Sequence, residues 1–428
     1  MKNELLKEIH SLKENFLADL KKIIQVESVK SNPAPNAPFG VGPKEALVRM
    51  LEIAQNLGFE TKIVADAVGY VQLGEGIDYI GVIGHLDVVP SGDLSAWNYP
   101  AFDLTQIDDM LYGRGVLDNK GPILSCLYGL YVLKKLQMPL CRPIRVLFGT
   151  DEESGSADIK MYLEHESPPI FGFTPDCKYP VVYGEMGYLN ITITCPITDE
   201  SHRMVDNFQI DAHVSKIPEK LSFKIKDENV IYITGKSAPT NAPDLADNVI
   251  LKFAQTLVVS AGTEFKTVLL WITEKFNQEG TGNGFGFKKP VMPVPYDIRI
   301  NDTQVELDVV VRYDVKITQE ALMKQMRSQM KEGYQMKINR AMPSTLMDKS
   351  LPEIQVMSEI YESLTGLDGT PVTTTGATYA RWMPNVVAFG PSMPGQKAIA
   401  HLPNEWMKVS DLMKNFEIYT LAMYELAK

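Results

Sequence analysis

Apolar positions in the first 24 residues recur at helical spacing. Leu5, Leu6, Ile9, Leu12, Phe16, Leu17, Leu20 and Ile24 fall at i, i+3/i+4 and i+7, so an amphipathic helix is predicted there. Residues 31–42 hold Pro33, Pro35 and Pro38 among Asn, Ser and Gly, and read as a loop. A second helix is predicted over Ala46–Leu57, and strands over Glu60–Ala65 and Val68–Leu73. Ile80–Ile83 is a short β-branched run that reads as a buried strand. The polar loop Tyr112–Pro122 opens a strongly apolar helix over Ile123–Leu136, with Pro122 suited to its first turn. Ile144–Phe148 and Ile170–Phe173 are further strands of parallel type. The repeated order of strand, polar loop and helix predicts a doubly wound α/β layer.

The pattern changes near Gly187. Leu189–Thr194, Ser222–Lys226, Val230–Thr234, Val268–Ile272 and Val305–Val311 read as strands, interleaved with helices around Asn248–Val258 and Gln319–Met330. This is an α+β pattern without acidic strand ends. Gly280–Gly286 is glycine-rich but precedes no helix, so it fails as a dinucleotide fingerprint and reads as a mobile loop. The first style returns with a Thr/Gly turn over Thr374–Arg381, a strand over Asn385–Phe389 and a helix over about Val409–Leu426. The expected organisation is a first domain split into 1–187 and 369–428, with an α+β domain, 188–368, inserted in it.

Length agrees with that division: 428 residues exceed what a single core usually spans, roughly 250–300 residues. A net charge of −11 argues against a nucleic-acid surface, which needs a basic face. No apolar run is long enough to span a bilayer, and Met1–Lys22 lacks the apolar core and cleavage site of a signal peptide. Cys126, Cys141, Cys177 and Cys195 form no CxxC pair, which suggests reduced thiols and a cytoplasmic location.

The candidate chemistry gathers where predicted strands end. Ile80–Ile83 runs into His85 and Asp87, whose spacing of two lets them share a face if extended geometry continues. A histidine beside a carboxylate is a metal ligand with its orienting group, or a base with its partner. Ile144–Phe148 leads into Glu152 and Glu153, Ile170–Phe173 into Asp176, and Asp118 and His401 lie in loops of the same style. In open α/β sheets such groups collect at the C-terminal strand ends. Carboxylates converging there would repel one another by several kcal/mol unless cations held them. Imidazoles mixed with carboxylates are what borderline divalent metals accept. Two divalent cations would be balanced by Asp118, Glu153, Asp176 and one hydroxide, leaving Glu152 as general base.

The strings GHLDVVP, GRGVLDNKG, GTDEESG, TPD, TYAR and HLPNE stand in this order. Together they resemble the M20 metallopeptidase family, and most its PepV-type dipeptidase branch. The resemblance implies a zinc-peptidase-like catalytic domain with an inserted lid, holding two divalent metal ions, Zn²⁺ or Mn²⁺. It implies His85, Asp118, Glu153, Asp176 and His401 as metal ligands, with Asp118 the bridge. Asp87 resembles the carboxylate that orients His85. Glu152 resembles the base that activates water and returns its proton to the leaving amine. Arg381 resembles the clamp for a substrate carboxylate. A cis peptide at Asp118–Asn119 and a monomeric state are also implied.

One stretch departs from the branch. Its lid usually reads Gly-x-x-Ala-His, and the matching residues are Gly235-Lys236-Ser237-Ala238-Pro239. Proline offers no donor to a developing oxyanion; losing one such donor can cost about 10²–10³ in rate. Ser215 stands where an Asn is common, and Asn241, Thr240 and His213 are candidate replacements. The expected activity is metal-dependent cleavage of the amide bond of dipeptides or short aminoacyl amides. The alternatives are a deacylase or carboxypeptidase acting on N-acylated amino acids, and a catalytically weakened metal-binding homologue.

Overall fold

The computed structural model describes residues 2–225, 229–277, 284–287, 290–396 and 399–428. The chain divides into two units, Met1–Gly184 with Met347–Lys428, and Glu185–Leu346. Residues 280–283 of the glycine-rich segment lie outside the described residues.

The first unit is built on a mixed sheet. Among the described residues, six of its nine strands are β1 (Thr61–Val64), β2 (Val68–Leu73), β3 (Ile80–His85), β4 (Ile144–Gly149), β5 (Phe171–Thr174) and β6 (Val386–Ala388). In space they run β1-β2-β4-β3-β5-β6. β3 is parallel to both β4 and β5, and β6 is parallel to β5, whereas β1 and β2 join antiparallel at one side. Every residue of β3, β4 and β5 is buried, which explains their unbroken apolar character. The parallel centre therefore gathers three strand ends at one edge, at His85, Gly149 and Thr174.

Helices cover the sheet: α1 (Lys2–Ser11), α2 (Lys13–Ile24), α3 (Val41–Asn56), α4 (Lys120–Lys135), α5 (Ala157–Leu163), α6 (Pro352–Thr365) and α7 (Val409–Ala427). The single helix predicted at the N-terminus is two, α1 and α2, flanking Leu12. α4 and α7 are buried over most of their lengths and pack on one another. Gly129 permits that crossing, because a Cβ there would come within 2.7 Å of the Met423 and Thr420 side chains. Gly84 in β3 has a similar reason: a Cβ would meet Asn119 Oδ1 at 2.3 Å.

The second unit pairs 187–196, 292–300, 304–313 and 335–342 in a four-stranded antiparallel sheet, and 205–210, 220–225 and 230–234 in a three-stranded one. Leu189, Ile191, Ile193 and Cys195 alternate into a core with Phe253, Phe265, Trp271 and Leu322 from the helices Val249–Leu257, Thr263–Phe276 and Gln319–Ser328. Val268–Ile272, read as a strand, lies within the second of these helices. Its β-branched appearance is local; Phe265, Val268, Leu269, Ile272 and Phe276 form a buried stripe at helical spacing. The unit boundaries also differ from those read in the sequence. They fall at 184/185 and 346/347 because α6 packs on α7, within the first unit.

Candidate active site

The site assembles from the loops that follow β3, β4 and β5, the loop before α4, and the loop before α7. His85, the last residue of β3, is fully buried. Its Nδ1 lies 2.8 Å from the main-chain oxygen of Asp87, which assigns the Nδ1 proton to that bond and turns Nε2 outward. Nε2 is 3.0 Å from Asp118 Oδ1 and 3.6 Å from Asp176 Oδ1. His401 Nε2 stands 3.1 Å from Asp118 Oδ2 and 3.1 Å from Glu153 Oε2. Ligand atoms of His85, Asp118 and Asp176 form one compact group, and those of Asp118, Glu153 and His401 another. Asp118 belongs to both, one carboxylate oxygen toward each imidazole. His401 is the exposed member, with 53% of its side chain accessible.

Asp87 faces His85 with both its carboxylate and its main-chain oxygen. Its carboxylate lies 3.5 Å from His85 Nδ1, farther than its own main-chain oxygen. It accepts the backbone N–H groups of Glu152 and Glu153 at 3.1 Å each. Asp87 thus orients His85 through its carbonyl and holds the Glu152–Glu153 turn through its carboxylate. D87N is expected to cut catalytic efficiency and cation affinity by about 10–100-fold. Steady-state kinetics and metal titration check this; an unchanged variant would remove Asp87 from the machinery.

The Asp118–Asn119 peptide is cis. Asn119 ties two loops together: its Oδ1 accepts from His85 N at 3.3 Å and its Nδ2 donates to Pro175 O at 2.5 Å. Lys120 is fully buried and donates to the carbonyls of Ile23, within the last turn of α2, and Val26, just beyond it.

Electrostatics show what the donor set lacks. Burial, then the charge of Asp176, pushes Glu152 well above the usual carboxylate range. Burial, then Asp118, raises Glu153, and burial lifts Asp176 to about 7 despite the opposing pull of His85. Burial alone would lower both histidines. The carboxylates of Asp176, Asp118 and Asp87 outweigh it at His85 and hold it well above its ordinary value. Bonds to Asp118 and Glu153 lift His401 to about 11. Asp118 opposes its own burial through bonds from His401 and His85, and stays well below the carboxylate range. Two imidazoles and three carboxylates are a donor set that divalent cations fit, and such cations would balance the buried carboxylates.

Asp158, Tyr379 and Glu405, to which the sequence pattern assigned no role, support the site. Asp158 in α5 is fully buried and accepts from Thr150 N at 2.7 Å, from Asp151 N at 3.2 Å, and from the Tyr379 hydroxyl. Tyr379 in turn stands edge-on to the His85 ring, 6.3 Å between centroids. Glu405 accepts from the backbone beside Asp118. Arg381 is 8% exposed, and its Nη2 donates to Gly376 O at 3.3 Å.

The second-unit candidates lie together. Thr240 N donates to Ser215 O at 3.0 Å, Ile217 N donates to Ala238 O at 2.8 Å, and Lys216 pairs with Pro239. His213 Nδ1 is 2.7 Å from Ser215 Oγ. Thr240 is buried, whereas Pro239, Asn241, Ser215 and His213 are exposed.

Comparisons with known proteins agree with this geometry. The model of peptidase family M20/M25/M40 matches residues 81–425. Putative dipeptidase YtjP of Bacillus subtilis is 28% identical, over 98% of this chain and 99% of the relative. Beta-Ala-Xaa dipeptidase of Lactobacillus delbrueckii subsp. lactis is 29% identical, over 97% of each. Among solved structures, human carnosine dipeptidase 1 has the same fold at a TM-score of 0.63, 14% identical, over 99% of both chains. So has Bacillus subtilis YxeP, described as a dinuclear metal-binding peptidase, at 0.57 and 12%, over 98% of this chain and 99% of that one. With a family match spanning most of its length and the donor groups in the matched segment, the chain belongs to peptidase family M20/M25/M40.

Proposed function

We propose that this M20 metallopeptidase cleaves the amide bond of dipeptides or short aminoacyl amides. The observation that carries the reading is the pair of donor groups sharing Asp118, with Glu152 beside them. His85, Asp118 and Asp176 would hold one divalent cation, zinc or manganese, and Asp118, Glu153 and His401 the other. Bound cations of this kind polarise a carbonyl oxygen and acidify water.

Glu152 takes a proton from the attacking water and delivers it to the amine that departs. Its turn is held by the Asp87 carboxylate, so the base is positioned by the same residue that orients His85. Arg381, buried and donating to Gly376 O, receives the substrate carboxylate. R381K keeps the charge but loses the planar fork. It is expected to raise KM for a dipeptide by about 10–100-fold with kcat little changed, because such binding is uniform between ground and transition states. A fall in kcat at unchanged KM would contradict that role.

Hydrolysis of an unblocked dipeptide panel, including β-alanyl dipeptides, in the presence of Zn²⁺ or Mn²⁺ tests the proposal. Release of free amino acids is the expected result. Turnover of N-acylated substrates alone would favour the deacylase reading. Cation binding without turnover would favour the weakened homologue, for which Pro239, which lacks an N–H donor, is the specific observation. We further propose a cytoplasmic monomer, a reading in keeping with four cysteines that no disulfide joins; no helix among the described residues is long and apolar enough to cross a membrane.

A further inference from the structure

Glu405 takes no part in the reaction outlined above, yet it is among the most heavily bonded side chains of the first unit. It is 0% exposed. Its Oε1 accepts the main-chain N–H groups of Gly115, Leu117 and Asp118 at 3.1, 2.9 and 3.1 Å. Its Oε2 accepts Nη1 of Arg114, itself buried, at 2.8 Å. The backbone closes the same junction, with Gly113 N donating to Glu405 O at 3.1 Å. Three N–H groups converging on one oxygen make an anion-binding nest, here filled by the protein's own carboxylate.

The position of this carboxylate matters more than its bonding. Glu405 lies four residues beyond His401 on the same loop, and Asp118 is itself one of the three N–H donors. One side chain therefore fastens the loop presenting Asp118 to the loop presenting His401. These are two of the three ligands in the Asp118–Glu153–His401 group. The two loops are 283 positions apart in the chain, and His401 is half exposed, with little packing to fix its ring.

We propose that Glu405 is a positioning residue for the cation held by Asp118, Glu153 and His401. The inference rests on the dinuclear reading above. Gln at 405 keeps an acceptor for the N–H groups but turns an NH₂ toward Arg114, setting donor against donor. The registration of the two loops is then lost while the His85–Asp118–Asp176 group keeps its own supports, Asn119 and the Asp87 carbonyl. A buried Arg–Glu pair that served stability alone would behave differently, because breaking it would weaken the whole unit.

Calorimetric titration of metal-free wild type and E405Q with Mn²⁺ and with Zn²⁺ separates these cases. Hydrogen exchange across residues 113–118, thermal unfolding and dipeptide kinetics accompany it. Wild type is expected to take up two cations. E405Q is expected to bind one cation within about threefold and the second about 10–100-fold less well. Exchange should rise in the 113–118 loop and not throughout the unit, and kcat should fall at near-constant KM. Two cations bound by E405Q with wild-type affinity overturns the proposal. So does equal weakening of both, with exchange rising throughout the unit. If E405Q does not fold, R114K is read by the same titration. It disturbs one of Glu405's contacts while leaving its charge partnered, and should weaken the second cation several-fold; an unchanged second affinity overturns the proposal. A wild type that binds a single cation sinks the dinuclear reading, and this inference with it.

Discussion

Glu152→Gln is expected to lower kcat by about 10²–10⁴-fold while leaving KM and cation stoichiometry close to wild type. The substitution keeps size and hydrogen-bonding capacity and removes the ability to carry a proton. Its turn is fixed through backbone N–H groups at the Asp87 carboxylate, which the variant preserves. The loss should therefore appear in the chemical step and not in folding or metal uptake. Steady-state kinetics with a dipeptide, together with metal analysis of the purified variant, make the comparison. Wild-type turnover by the variant would exclude Glu152 as the base. A variant depleted of metal would instead assign Glu152 to binding.

Removing both cations with a chelator is expected to abolish turnover and to lower the unfolding temperature by about 10–20 °C. That figure follows from about 2.7 kcal/mol per site at one hundred times Kd and about 2–4 °C per kcal/mol for a domain of this size. The pH dependence is the sharper test. Asp176 in the folded, metal-free protein is raised from 3.8 to about 7 by burial. The folded state then holds a proton that the unfolded chain has released. Its contribution is present below about 3.8 and is lost as pH rises through about 7. His401, raised from 6.5 to about 11 by Asp118 and Glu153 against its burial, contributes fully below 6.5 and loses its effect toward 11. Both act in the same direction, so the metal-free protein should lose stability from pH 5 to pH 9. Cation binding displaces these protons, and the loaded protein should lose that downward slope. Thermal unfolding of both forms across the range reads the difference. Parallel slopes would mean that the five side chains do not take up the metal.

Much of the site was legible because its ligands sit where apolar runs stop. β3, β4 and β5 are buried throughout, so their sequences are continuous hydrophobic runs, and the first polar residues after them stand out. The sharing of Asp118 between two groups could not be read from spacing, since its partners lie 33, 35, 58 and 283 positions away. Asp158 in the first turn of α5 looks like any acidic residue that complements a helix dipole. Its bonds to the 150–151 backbone and to Tyr379 exist only after folding. Glu405 belonged to a string already singled out, and Arg114 of the GRGVLDNKG string was the available sign of a partner. The division read near 368 follows Gly366, Asp368, Gly369 and Pro371, which punctuate the chain more strongly than anything near 346, where contacts divide the structure. α6 alone does not announce which core its apolar face joins.

The crossing of α4 by α7, made possible by Gly129, has a consequence for synthesis. α4 exposes a broad greasy flank until Val409–Ala427 reaches it. Between the two, the ribosome must make 273 residues, the roughly 160 of Glu185–Leu346 among them, which takes about fifteen to fifty-five seconds at ordinary elongation rates. During that interval the nascent chain already displays four of its five candidate ligands on an unfinished scaffold, and the middle section has time to fold first.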